Sequence, residues 1–221
     1  LWEEAGLTEK DIPDTWEDLI KVCRKIRNSD SGLSAMACDG EYVNLLYGYQ
    51  LARYLGQERV WQLIHDCTWS QTAEAKQAAD DIRRLFLAGY MSRTSPADHP
   101  EGQDEVGNGE AVMVLQGSWT PNEVTEDTGY DDTWGFFPWP AVKNGTDGTE
   151  GIMIGAQGFG VMKDSQMKQE AFDFAYSVCT GETDMKMTDI VNSIPADTDN
   201  TQWPEMLADA ASYICLLYTS D

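Results

Sequence analysis

The sequence predicts an α/β fold. Short apolar runs of strand character alternate with longer runs of helical period, turns rich in Gly, Pro and Asp separate them, and no segment repeats another. The chain opens on Leu1-Trp2-Glu3-Glu4-Ala5-Gly6-Leu7, which has helical character. Thr15-Trp16-Glu17-Asp18 after Pro13 is a helix start. From there Trp16, Leu19, Ile20, Cys23 and Ile26 recur at the helical period until Asn28 to Gly32 ends the run. Leu33 to Cys38 reads as a strand that stops at Asp39-Gly40-Glu41. A second helix follows, with Val43, Leu46, Tyr47, Gln50, Leu51 and Tyr54 on one side, and closes near Gly56.

A third helix is expected from about Gln71 to Ala88, with Ala75, Ala78, Ile82, Leu85 and Phe86 inward. The chain then loosens through Ser95-Pro96 and His99-Pro100-Glu101-Gly102. Gly109 to Leu115 has the pattern of a buried strand. Gly117-Ser118-Trp119 turns it into a helix opened by a capping box over Thr120-Pro121-Asn122-Glu123. Strands are expected over Trp134 to Pro140 and through Ile152 to Ile154, the latter continuing from Phe159 to Met162. Asp164 then opens a helix whose Ala171, Phe172, Ala175, Val178 and Cys179 face one way until Gly181.

Composition narrows the function. Among 221 residues, 38 are Asp or Glu and 15 are Lys or Arg, a formal charge of −23 with no basic cluster. Phosphate backbones and anionic headgroups are repelled by such a chain, so nucleic-acid and membrane-surface roles are disfavoured. At 42% hydrophobic residues it can build a packed core, yet no apolar run approaches the roughly 20 residues of a membrane helix. Cys23, Cys38, Cys67 and Cys179 form no CxxC and no metal spacing with histidine, so buried free thiols are expected rather than a disulfide scaffold or zinc site. The chain starts without Met and reads as cut at both ends. Cys215-Leu216-Leu217-Tyr218-Thr219-Ser220-Asp221 matches a translated sequencing adapter, and residues 215–221 are set aside as a probable assembly artefact that packs on nothing specific.

The candidate chemistry lies at the strand ends. Trp, at 8 residues, outnumbers Phe, at 6, which favours a surface built for stacking. Trp2, Trp16 and Trp61 fall on apolar helix faces and read as core. Trp119 sits where a buried strand meets a helix, the place where α/β sheets present ligand groups, and there ligand contact competes with packing. Asp39 and Glu41 flank Gly40 at the other strand end, followed by Tyr42, Asn44 and Tyr47. They suit sugar hydroxyls, a glycosidase carboxylate pair, or a plain solvated acidic turn. His65 and His99 have no organised nucleophile partner. Gly155-Ala156-Gln157-Gly158-Phe159-Gly160 lacks the helix a nucleotide loop requires, and Asp197 to Asn200 reads as a turn rather than a calcium loop.

Taken in order, Glu3-Glu4-Ala5-Gly6-Leu7, Pro13 to Leu19, Gly109-Glu110-Ala111-Val112-Met113, Gly117-Ser118-Trp119 and the Trp134 to Pro140 run resemble the extracellular solute-binding proteins of family 1. These are the maltose-binding-protein-like receptors of ABC sugar importers. The resemblance covers roughly Leu1 to Ala210. It implies a type II periplasmic-binding-protein-like Venus flytrap, truncated here. Residues 1–133 would be lobe two, 134–195 the returning segment of lobe one, and 196–214 the start of lobe two's last helices. Trp119 would stack on a sugar ring, Tyr42 with its neighbours would contact ligand, and Gly155 and Gln157 would lie near the hinge and cleft. The first part of lobe one, which carries the other wall of the cleft, is absent from the sequence. The implied protein is not an enzyme and has no cofactor. It is an extracellular or periplasmic monomer, held by a lipid anchor at a missing N-terminus, that hands a carbohydrate to permease subunits. The alternative is a carbohydrate-active enzyme using Asp39 and Glu41.

Overall fold

The structure, a computed structural model, describes residues 1–149, 151–155 and 157–218, the side chains of 214–218 excepted. The chain forms two compact units. The first is Leu1–Asp132 with Phe137–Ile152, and the second is Thr133–Phe136 with Met153–Asp221.

In the first unit α1 (Trp16–Arg27) starts as predicted. The Thr15 hydroxyl accepts the Asp18 N–H at 3.2 Å, and the helix buries Trp16, Leu19, Ile20, Cys23 and Ile26. It packs on β1 (Ser34–Ala37), which pairs in parallel with β2 (Ala111–Val114), Ala37 opposite Val114. On its free edge β1 makes a single parallel bridge at Met36↔Met91, and Asp39, just past the strand, makes another with Ala97. α2 (Val43–Leu55) follows β1 and packs on α3 (Gln57–Asp66) and α4 (Ala73–Leu87), while α5 (Glu101–Gly107) packs on β2 and on α6 (Thr120–Thr128). The second unit holds α7 (Lys168–Val178), α8 (Gly181–Val191) and α9 (Ala208–Tyr218).

Several expectations are corrected. Leu1 to Leu7 is a run of turns, with Ala5 N–H on Leu1 O and Leu7 N–H on Trp2 O. α5 and α8 were not anticipated, and α3 only as a helix carrying Trp61. Trp61, expected in the core, is 64% exposed on α3; Trp2 is only partly buried, donating its indole N–H to Thr8 O. α6 begins one residue earlier than the capping box requires, with Trp119 as its N-cap residue and no side-chain cap. The helix expected from Asp164 begins at Lys168, and none of its residues is buried, so its apolar face is uncovered. Cys23 and Cys38 are buried, and burial pushes their thiols up to about 12 and about 11. Cys67 is exposed and Cys179 half-buried.

Neither later strand forms. A strand is stable only with a partner, and among the described residues the sheet is β1 and β2 alone. In the Trp134 to Pro140 run, the hydrogen bonds of Trp139 go elsewhere. Its carbonyl accepts from Nε and Nη2 of fully buried Arg53 at 3.0 and 2.8 Å, and its indole N–H donates to Gln50 Oε1 at 2.8 Å. Arg53 also reaches Gly151 O at 2.9 Å. This network draws residues 137–152 into the first unit. Met153, Ile154, Phe159 and Met162 lie outside any strand or helix of the second unit and are exposed. Asp197 to Asn200 is a turn, as expected, held by Asp184, which accepts from Ala196 N, Asp197 N and Asn200 Nδ2. The 215–221 reading rests on side chains outside the described residues, although the α9 backbone runs to Tyr218.

Candidate functional site

Parallel strands end together, so whatever follows β1 and β2 shares one edge of the sheet. Asp39 and Gln116 stand two residues beyond the paired Ala37 and Val114, and they meet there: Gln116 Nε2 donates to Asp39 Oδ2 at 2.8 Å. Asp39 is fully buried. Its Oδ1 accepts the Gly102 N–H at 2.7 Å, and His99 Nδ1 lies 3.2 Å from Oδ2. A carboxylate only accepts, so His99 donates from Nδ1. Gly102 brings the start of α5 against the strand end; a Cβ there would lie 2.4 Å from Asp39 Oδ1 and 2.8 Å from its backbone nitrogen.

Tyr42 closes the Gly40–Tyr42 turn and meets the His99 ring edge to face, centroids 5.9 Å apart. Partial burial raises the Tyr42 pKa, and the charges of Glu123, Glu41 and Asp39 raise it further. Glu123 on α6 is held by Gln103 Nε2 at 3.0 Å. One turn earlier, the Trp119 carbonyl accepts the N–H groups of Asn122 and Glu123 at 3.1 and 3.3 Å, which anchors its backbone. The indole folds back over Gly117, where a Cβ would sit 2.2 Å from Cζ3, and it remains 46% exposed. An anchored, half-exposed aromatic ring after β2 can stack on an apolar ring face, and the exposed Glu41 and Asn44 that follow β1 carry a carboxylate and an amide of the kind that meet sugar hydroxyls.

Of the candidates read from the sequence, Asp39, Tyr42 and Trp119 are joined through this edge and Glu123, with Glu41 and Asn44 adjoining. Asp39 organises the edge from inside, because both its oxygens are already occupied. Tyr47 faces α4 instead, donating to Ala75 O at 3.3 Å. Gly155 and Gln157 belong to the second unit, where both are exposed. His99, Gly102, Gln116 and Glu123 were not among the candidates. Asp39 is separated by 60 positions from His99 and by 77 from Gln116, and no local pattern links residues so far apart. No group of three His, Cys, Asp or Glu suited to a metal ion occurs among the described residues, and none of their helices is long and apolar enough to cross a membrane.

Two measurements probe this edge. Burial alone would lower the His99 pKa, but the Asp39 hydrogen bond and charge, with Glu123 and Glu41, outweigh it and raise it above the ordinary 6.5. Asp104 on α5 also faces it electrostatically. A raised value means the folded state holds the proton more tightly. The stability from His99 is therefore complete below about 6.5 and is lost as pH rises through its higher folded value. Melting curves from pH 5 to 8 should show the wild type losing more stability with rising pH than His99→Gln; parallel profiles would contradict this. Separately, a methyl at Gly117 would collide with the Trp119 ring, so Gly117→Ala should turn the ring off its rotamer, cost about 1 kcal/mol of stability, and weaken ligand binding several-fold by moving the platform. Unchanged affinity would mean that the ring position does not matter.

The architecture is the α/β fold of the type II periplasmic-binding-protein-like receptors. A chitin oligosaccharide binding protein matches with a TM-score of 0.77 at 18% identity over 96% of this chain and 54% of its own. RafE from Streptococcus pneumoniae matches with a TM-score of 0.72 at 20% identity over 96% of this chain and 55% of its own. A sugar transporter from Bacillus licheniformis in complex with stachyose gives 0.67 at 16% identity, covering 96% and 56%. The chain thus spans about half the length of the solved structures it matches. Residues 1–176 match the family model described as bacterial extracellular solute-binding protein, and the chain belongs to that family. No curated protein sequence matches it.

Proposed function

We propose that the chain is part of a carbohydrate receptor serving an ABC importer, with the sugar stacked on Trp119. The observation that carries this reading is the half-exposed Trp119 ring, anchored just beyond the C-terminal end of a strand in a parallel sheet. Supporting it are the family and the sugars named for its structural neighbours: raffinose for RafE, stachyose and chitin oligosaccharide. In this reading Tyr42 borders the bound ring, Glu41 and Asn44 bond its hydroxyls, and Asp39 holds His99 and Gln116 in place. The first unit corresponds to lobe two. The receptor works outside the cytoplasmic membrane as a lipid-anchored monomer, passes its ligand to the permease transmembrane subunits, and uses no cofactor.

The test is calorimetry on the full-length receptor with raffinose, stachyose and chito-oligosaccharides, followed by chromatography of the recovered sugar. Saturable binding and intact sugar are expected. Absence of binding to every sugar would overturn the reading, and cleavage products would favour a glycosidase working through Asp39 and Glu41. A glycosidase acid must be free to give a proton to substrate, whereas Asp39 is buried and accepts three hydrogen bonds.

A further inference from the structure

We propose that the groove beside the packed Tyr47–Trp69 pair is a second sugar subsite, taking the distal ring of an oligosaccharide whose first ring stacks on Trp119. This rests on the carbohydrate-receptor reading above. The two places share an edge. α2 begins directly after the Gly40–Tyr42 turn that leaves β1, and α4 runs alongside α2 in the same direction: Tyr47 bonds Ala75 O, and one to two turns on, Gln50 and Tyr54 both bond Asp81. The N-terminal ends of both helices therefore lie at the edge where Asp39, Tyr42 and Trp119 gather. Asn44 precedes Tyr47 by three positions, on the same helix face and one turn nearer that edge, and it is exposed.

The groove has the chemistry of a sugar platform. Trp69, in the short Trp69–Gln71 turn before α4, is 39% exposed and lies 6.3 Å from Tyr47, ring centroid to centroid, at 37°. The Tyr47 hydroxyl is bound to Ala75 O, which holds its ring in one orientation. Ser70, Gln71, Thr72 and Lys76, with Ala73 and Ala75, line the rest of an open space of about 660 Å³, within the range of small-ligand sites. Lys76 is paired with Asp80, so the groove offers no unbalanced charge to draw an anion. What remains is a packed aromatic pair with Trp69 part-exposed, fringed by hydroxyl and amide groups, which suits a neutral ring with an apolar face and hydroxylated rim.

The experiment compares wild type, Trp69→Ala and Trp69→Phe in the full-length receptor. Calorimetry is run against chito-oligosaccharides of two to five rings and against raffinose and stachyose, with a melting curve on each sample. For whichever series binds, Trp69→Ala should lose about tenfold affinity for the longest sugar and less than twofold for the shortest, at unchanged melting temperature. Trp69→Phe, which keeps an aromatic face, should recover most of the loss. Equal losses at every length, or no loss for the longest sugar while wild type binds it, would overturn the subsite. A wild type that binds none of these sugars would defeat the receptor reading and this proposal with it.

Discussion

Trp119→Ala in the full-length receptor should weaken sugar binding about 30-fold or more, about 2 kcal/mol, and leave the melting temperature nearly unchanged. The two effects separate because the ring and the backbone of this residue do different things. The Trp119 carbonyl accepts the N–H groups of Asn122 and Glu123, and alanine keeps those bonds. The ring lies over Gly117 with nearly half its surface open, so its loss leaves no closed cavity. A buried tryptophan such as Trp16 would behave in the opposite way, costing about 3 to 5 kcal/mol of stability on truncation. Melting and titration on one sample distinguish the cases. A mutant that melts many degrees lower yet binds normally once folded would make Trp119 a packing residue.

Asp39→Ala should act on folding first, by about 3 to 5 kcal/mol. The carboxylate is fully buried, and its removal strands the Gly102 N–H and the Gln116 amide without an acceptor and His99 without its counter-charge. At about 2 to 4 °C per kcal/mol for a chain of this size, the first unit should melt about 10 °C lower, and the Gly102 amide should exchange faster. Asp39→Asn should be milder, since the amide oxygen can still serve Gly102 while its NH₂ is turned against the donors of Gln116 and His99. Wild-type melting of Asp39→Ala with lost binding would instead mark Asp39 as a ligand contact.

Local pattern was a good guide wherever a segment satisfies itself. α1 could be read from Thr15 and the spacing of Leu19, Cys23 and Ile26 because a helix closes its hydrogen bonds within a few residues and needs only one apolar stripe. The apolar runs of β1 and β2 were legible for a related reason: strands covered by helices read as continuous Ala, Val and Met. α3 was obscured because its only buried residue is Leu63 and Trp61 points to solvent. Trp134 to Pro140 failed as a strand because β-propensity says nothing about partners, and the Trp139 carbonyl found Arg53, 86 positions earlier.

The sequence alone determined the α/β class, the family and the two elbows at Asp39 and Trp119, since each follows from composition, period or a short ordered motif. It also set the strongly acidic surface, which is a sum over residues and needs no fold. Tertiary structure decided which elbow residues face outward. Asp39 turned inward because His99 and Gly102 from one later segment and Gln116 from another converge on it, and a buried carboxylate persists only where such donors meet it. The Trp119 ring stayed outside because Gly117 leaves the surface on which it lies. Tyr47 was drawn to Trp69 and Ala75 because α4 packs beside α2, an association set by apolar burial between helices distant in sequence.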